Sequence, residues 1–192
     1  MVLTYSLAFA VLWIAWLISW AVGALWASKP ASRPPRQDER FYWLLTVAGG
    51  VLLVLNYRTG RPSLEWTSPD WLERVLVAIA ALGLASTWWA RVYLGTLWSG
   101  RVTRKADHRI IETGPYRYVR HPIYTGVLVA IWASALVRPG PLGLAGAALL
   151  TVSFVLKLRL EERFLMQELG PAEYEGYRRR VPMLVPFWPV RG

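Results

Sequence analysis

Residues 120–162 read RHPIYTGVLVAIWASALVRPGPLGLAGAALLTVSFVLKLRLEE. Two apolar runs, about 122–137 and 142–160, are separated only by Arg138, Pro139, Gly140 and Pro141. The second run, as a helix rising ~1.5 Å per residue, nearly matches a ~30 Å hydrocarbon core. A link this short turns the chain straight back, so the two runs are expected to form an antiparallel hairpin in a membrane. Small residues recur every four positions in each run, Gly126, Ala130 and Ser134 in one and Gly143, Ala147 and Thr151 in the other. Such stripes let helix backbones approach, and close packing of the hairpin is the expectation.

Upstream lie three more apolar stretches. The first, about 3–26, has no charged residue, and its length together with the lack of a basic flank marks a retained span rather than a cleaved leader. The second, about 41–57, is shorter and ends in aromatic residues. The third, about 71–89, follows Ser68-Pro69-Asp70, a helix start with proline in the first turn and acids near the N-terminus. Trp66 and Trp71 are placed to anchor at an interface, and Glu73 and Arg74 to meet headgroups and each other. The fold class expected is therefore all-α: one membrane domain, 1–192, with five spans. Past the fifth span the helix should continue to Gly170-Pro171, followed by a short polar helix, 172–180. The closing VPMLVPFWPV, 181–190, is expected to lie along the surface.

Lys and Arg set the orientation. The segment 28–40 holds four, 91–120 holds seven and the tail from Lys157 holds seven, whereas the other two loops hold only Arg58, Arg61 and Arg138. By the positive-inside rule the N-terminus is outside and the C-terminus cytoplasmic. The net charge of +10, 19 of 22 basic residues being Arg, thus reads as topology and contact with membrane lipids, not nucleic-acid binding. The absence of cysteine excludes disulfides, thiolate metal sites and cysteine nucleophiles, and two histidines make a zinc site unexpected.

Chemistry is expected where apolar and charged sequence meet. The segment ETGPYRYVRHPIYTG, 112–126, sets Pro122 in the first turn of a helix and His121 near its N-cap, where unpaired backbone N–H groups favour an anion. Arg117 and Arg120 add positive charge suited to a carboxylate or phosphate. Tyr116, Tyr118 and Tyr124 offer rings for stacking or for a cation. Glu161 and Glu162 close the hairpin on the same side, and acids so near a membrane point to function. Neighbouring residues diverge by ~100° on a helix, so only one of the two can face the hairpin fully. A ligand with a carboxylate, a cation, a flat base and ribose hydroxyls fits this set.

GPYRYVRHPIYTG (114–126), together with EERFLMQELGPAEYEGYRRRVPMLVPF (161–187), resembles the isoprenylcysteine carboxyl methyltransferase and phospholipid methyltransferase superfamily. LGTLWSGRVT (94–103) is similar to the segment that leads into it, and the resemblance covers about 93–187. It implies an integral membrane enzyme using S-adenosyl-L-methionine on the cytoplasmic side and a lipophilic substrate entering from the bilayer. It implies cofactor contacts from His121, Tyr124, Glu161 and Glu162, and also from Arg120 and Tyr116. The acceptor it implies first is the carboxylate of a prenylcysteine-like substrate, oriented by an Arg such as Arg163 or Arg178 to Arg180. A phospholipid or small amine is the alternative acceptor. An NADPH-dependent membrane reductase and a non-catalytic lipid-binding scaffold are the competing readings. The Arg-rich composition points to a bacterial cytoplasmic membrane.

Overall fold

The computed structural model describes residues 2–27, 36–59, 68–98, 110–138, 140–169 and 171–190. Trp66, Lys29, Arg33 and Pro139 lie outside these residues. The described chain is helical: α1 (Val2–Ala24), α2 (Arg36–Thr59), α3 (Asp70–Leu94), α4 (Pro122–Val137), α5 (Pro141–Leu169) and α6 (Pro171–Arg180). Two short 3₁₀ turns, Gly95–Leu97 and Gly114–Arg117, lie between α3 and α4. Four helices carry segments long and apolar enough to cross a membrane, Ser6–Ala24, Glu39–Tyr57, Asp70–Leu97 and Pro141–Gln167, and α4 is a shorter apolar fifth. Four membrane-length helices and a shorter apolar one fit the expected polytopic helical membrane bundle. α3 continues past Trp89, and α2 begins before Phe41 with Glu39 already buried.

α4 explains its own brevity. At 16 residues it is ~24 Å long, less than the hydrocarbon thickness, but it sits inside the bundle between α3 and α5. Ala130, Ala133 and Val137 join Leu76, Ala80 and Leu84 of α3 and Phe9 of α1 in one core. Val127, Ile131 and Ala135 join Ala147 and Leu150 of α5 in a second. The lipid-facing surface falls mainly to the outer helices, as the exposed Leu7, Ile14 and Ile18 of α1 illustrate.

The small-residue stripes meet the hairpin expectation only in part. The most extensive helix pairs are α2 with α5 and α3 with α4, and the α4–α5 contact is much smaller. The α4 stripe faces α3, where a Cβ on Gly83 would lie 2.8 Å from the Gly126 carbonyl oxygen. The α5 stripe is shared: Gly143 lies against Asn56 of α2, whereas Ala147 packs with Val127, Ile131 and Ala135 of α4 and Thr151 accepts from the Trp132 indole at 3.1 Å. The closest α2–α5 approach falls instead at Gly146, where a Cβ would lie 2.7 Å from the Gly49 carbonyl oxygen. A four-residue spacing reports close approach but leaves the partner open, and two neighbours competed for each face.

Buried polar bonds fix the helices to one another. The indoles of Trp13, Trp16 and Trp88 donate to Ser134 (3.0 Å), Thr87 (2.8 Å) and Ser19 (3.0 Å), tying α1 to α3 and α4. Arg91, 1% exposed, donates to the Gly23 carbonyl at 2.9 Å and to that of Gly95. Its guanidinium lies over Trp98 and Trp26, a cation set against the carbonyls at the C-terminus of α1. At the other end, Asn56 donates to the Arg138 carbonyl (2.8 Å), Arg138 to the Tyr57 carbonyl (2.8 Å), and the Tyr57 hydroxyl to the Ser134 carbonyl (2.6 Å). Tyr57→Phe should destabilise the bundle by about 1 kcal/mol, the net worth of one such bond, measured as thermal unfolding in detergent. Glu73 is buried at 6% and does not serve as a headgroup contact; Arg74 pairs with Asp70 at 2.7 Å.

Candidate active site

The end of the bundle where α4 begins and α5 leaves the apolar layer holds most of the residues singled out from sequence. Pro122 occupies the first turn of α4 and His121 its N-cap position, so the 120–121 backbone has not yet entered the helix. Its amides are met by the tail: Arg120 N–H donates to Pro182 (2.8 Å) and His121 N–H to Met183 (3.1 Å), and the Thr125 hydroxyl donates to Leu184 (2.7 Å). Residues 182–184 therefore form a wall over the α4 N-terminus. The expectation that 181–190 lies along the surface fits only its later part, where Phe187 and Trp188 are exposed.

Beneath this wall Glu162, 4% exposed, accepts from Arg120 Nε at 2.7 Å and Nη2 at 3.2 Å, a two-pronged pair that the planar guanidinium favours. The same Oε1 lies 2.9 Å from His121 Nε2. Arg120 Nη1 reaches the carbonyls of Arg178 (3.1 Å) and Val181, so one buried guanidinium joins α4, α5, the end of α6 and the tail. Tyr177 seals the arrangement from α6 by donating to the Tyr116 carbonyl at 2.7 Å. Burial pushes the hydroxyls of Tyr116, Tyr174 and Tyr177 up from their ordinary range, and the nearby charge of Glu161 pushes Tyr116 further. All three remain protonated and neutral at physiological pH.

The adjacent acids divide as helical geometry requires. Glu162 turns into the Arg120–His121 cluster, whereas Glu161 is half-buried and acts electrostatically on Tyr116, Tyr124 and Lys157. Tyr124 is the hub of this second group. Its ring meets Phe154 at 5.3 Å and His121 at 6.4 Å between centroids, and the Lys157 ammonium lies 5.2 Å from its centre. Of the six residues expected at a cofactor, Arg120, His121 and Glu162 are thus locked together. Tyr116, Tyr124 and Glu161 form a neighbouring group linked through the charge of Glu161. Arg117 and Tyr118 are exposed, and Arg180 pairs with Glu112 at 2.8 Å.

A cavity of about 960 Å³ runs through the apolar layer toward this group. Phe9, Trp13 and Trp16 of α1, Leu53 of α2, Val127 and Ile131 of α4, and Leu150 and Phe154 of α5 line it. Leu7, Leu17 and Val54 line it too and are exposed, so it opens sideways between α1 and α2. Phe154 belongs both to its wall and to the Tyr124 contact, where cavity and polar end meet.

Residues 75–167 match the isoprenylcysteine carboxyl methyltransferase family. A methanethiol S-methyltransferase of Mycobacterium tuberculosis is 35% identical over 172 residues, covering 82% of this chain and 67% of that protein. The chain belongs to the isoprenylcysteine carboxyl methyltransferase family. Methanethiol S-methyltransferase 1 of Bradyrhizobium diazoefficiens is 43% identical over 178 residues, 84% of this chain but only 58% of that protein. The chain therefore spans roughly two thirds or less of the length of these relatives. The solved structure of the eukaryotic intramembrane Ras methyltransferase ICMT shares the fold, with a TM-score of 0.57, 24% identity, and coverage of 77% of this chain and 53% of that one. The family recognised from the motifs is the one that matches, over 75–167 rather than 93–187: the match begins earlier, within α3, and ends within α5. Methyltransferase membership sets aside the reductase and the non-catalytic scaffold.

Sequence reasoning missed two contributors: Lys157 and the 182–184 wall. Lys157 carried a signal, being one of three lysines among 22 basic residues and lying inside an apolar run. The wall carried none, because its bonds to residues 120 and 121 are made by backbone atoms.

Proposed function

We propose that this protein transfers the methyl group of S-adenosyl-L-methionine to the sulfur of a lipophilic thiol, at the cytoplasmic end of the bundle in a bacterial inner membrane. The observation that carries this reading is the junction at Phe154 and Tyr124, where a laterally open apolar cavity meets the polar group of Tyr124, Lys157 and Glu161. Thiol methylation by two relatives supports sulfur as the acceptor atom. The Lys and Arg distribution supports a cytoplasmic site.

The residues present suit such a cofactor. Glu161 offers a half-buried carboxylate to a ribose hydroxyl or an ammonium group, beside the rings of Tyr124 and Tyr116. Aromatic faces attract cationic centres, a sulfonium included. Arg120, His121 and Glu162 hold the start of α4 and the 182–184 wall in place next to Tyr124. When bound, the cofactor supplies an electrophilic methyl group. The chain contributes alignment of the two reactants and a dry approach from the lipid side, with Phe154 and the α1 tryptophans excluding water.

The prenylcysteine-like carboxylate is the second reading, favoured by a cavity larger than a very small thiol requires. Membranes containing the full chain, incubated with methyl-labelled cofactor and alkanethiols, a prenylated cysteine acid or a long-chain amine, separate the possibilities. Label is expected in the thioethers. Label confined to the methyl ester or the methylamine would reassign the acceptor, and no labelled product from any of them would overturn methyl transfer.

A further inference from the structure

α5 presents a graded face to the bundle. Leu150 and Phe154 line the apolar cavity, Lys157 follows one turn on, and Glu161 one turn beyond that. Lys157 is half-buried, with its ammonium 5.2 Å from the ring centre of Tyr124 on α4 and 6.0 Å from that of Tyr42 on α2. The charged and titratable groups facing it are Glu161 on its own helix, Tyr124 on α4, and Glu39 and Tyr42 on α2.

Tyr42 supplies an independent observation. The residue is 3% exposed, its backbone carbonyl accepts from Ser153 at 2.7 Å, and it packs on Leu160. Its hydroxyl is buried and meets no good hydrogen-bond geometry with any described group, although Glu39 acts on it by charge and as a weak hydrogen-bond acceptor. A poorly satisfied buried hydroxyl is destabilising, so its retention calls for a use. A poorly satisfied donor near an ammonium, one helical turn past the Phe154 wall of an apolar cavity, suits the anionic head of an otherwise apolar molecule.

We propose that Lys157 and the Tyr42 hydroxyl form the acceptor's anion subsite, holding the substrate sulfur as a thiolate at the end of the cavity. This rests on the thiol reading given above. The thiolate, not the thiol, is the nucleophile, and an adjacent cation shifts the balance toward it. The proton of the S–H group is released to water as the anion is taken up. A sulfur lone pair then forms the new C–S bond as the methyl–sulfonium bond breaks, leaving a neutral thioether and S-adenosylhomocysteine. Glu161 answers the cationic part of the cofactor, while Lys157 keeps its contact with Tyr124 and faces the acceptor. A neutral product loses its hold on the subsite, and that favours release into lipid.

The test is the pH dependence of kcat/KM for Lys157→Met with an alkanethiol and with a more acidic aromatic thiol, beside the dissociation constant for S-adenosylmethionine. With the alkanethiol, the variant should lose about 10- to 1000-fold at neutral pH, because a charge within ~4–6 Å moves a pKa by about 1–3 and the thiolate fraction by tenfold for each. The loss should shrink as pH rises, and it should be smaller for the aromatic thiol, with cofactor affinity unchanged. Lys157→Arg should retain most of the activity. Tyr42→Phe, which deletes one oxygen, should show the same pattern at smaller size and carries the test if the methionine variant does not fold. An unaltered pH profile and unaltered preference between the thiols, in a protein that does methylate thiols, would overturn the subsite and leave the thiol reading standing. An intact protein that methylates no thiol would overturn both.

Discussion

Glu162→Ala is expected to lower stability by about 3–5 kcal/mol, the cost of leaving one partner of a buried ion pair without the other. Arg120 is 7% exposed, and Glu162 supplies both oxygens that meet its Nε and Nη2. With the carboxylate gone, the guanidinium keeps only carbonyl partners at residues 178 and 181, and His121 loses the acceptor on Nε2. Because Arg120 also donates its backbone amide to Pro182, the 182–184 wall should loosen together with the start of α4. Thermal unfolding in detergent should show a drop of about 2–4 °C per kcal/mol for a chain of this size. Limited proteolysis should cut within 181–190 at lower protease. Glu162→Gln keeps the shape and one acceptor and should fall between the two proteins. The double change Glu162→Met with Arg120→Met, which removes both charges, should cost less than Glu162→Ala alone. If Glu162→Ala melts with the intact protein, the cluster is not what clasps the tail.

This cluster also shows what the residues alone disclosed. That Arg120, His121 and Glu162 belong together was legible, because all three stand where apolar sequence ends and the 138–141 turn folds those ends to one side. Which acid would turn inward was not legible, since a 100° offset separates Glu161 from Glu162 without naming the buried one. The helices followed from run length and from Pro69, Pro122, Pro141 and Pro171, each at or beside a helix start. The pairing of helices did not follow. Asn56 and Tyr57, which fasten α2 onto the 134–138 segment, look in sequence like the ordinary polar end of a span. Tyr42 looks like an interfacial aromatic, and only the fold turns its hydroxyl into a poorly satisfied buried donor near a lysine from α5.

Gly126→Leu should have an effect of similar size by a different route. Gly126 sits one turn into α4, directly after Tyr124 and Thr125, where α3 crosses at its closest. A Cβ there would fall 2.6 Å from the Ser86 hydroxyl and 2.8 Å from Thr87 Cγ2, and the Gly83 carbonyl lies closer still. Backbone cannot swing aside as a flexible side chain can, so α3 and α4 must separate. Overpacking of this kind costs about 1–3 kcal/mol and more when backbone is displaced. The separation would be felt at Thr87, which accepts from Trp16, and hence at the seat of α1 beside the cavity. It would also shift Tyr124, so cofactor affinity should fall along with stability. Gly50→Ala is the matched control, since a Cβ there meets nothing within 4 Å. Exchanging glycine for alanine inside a helix stabilises by up to ~1 kcal/mol, so that variant should melt at or above the intact protein. Opposite signs at the two glycines, read by thermal unfolding and cofactor titration, would tie the effect to the α3–α4 approach rather than to helix propensity. Equal and small changes at both would mean that the Gly83–Gly126 contact does not hold the site in shape.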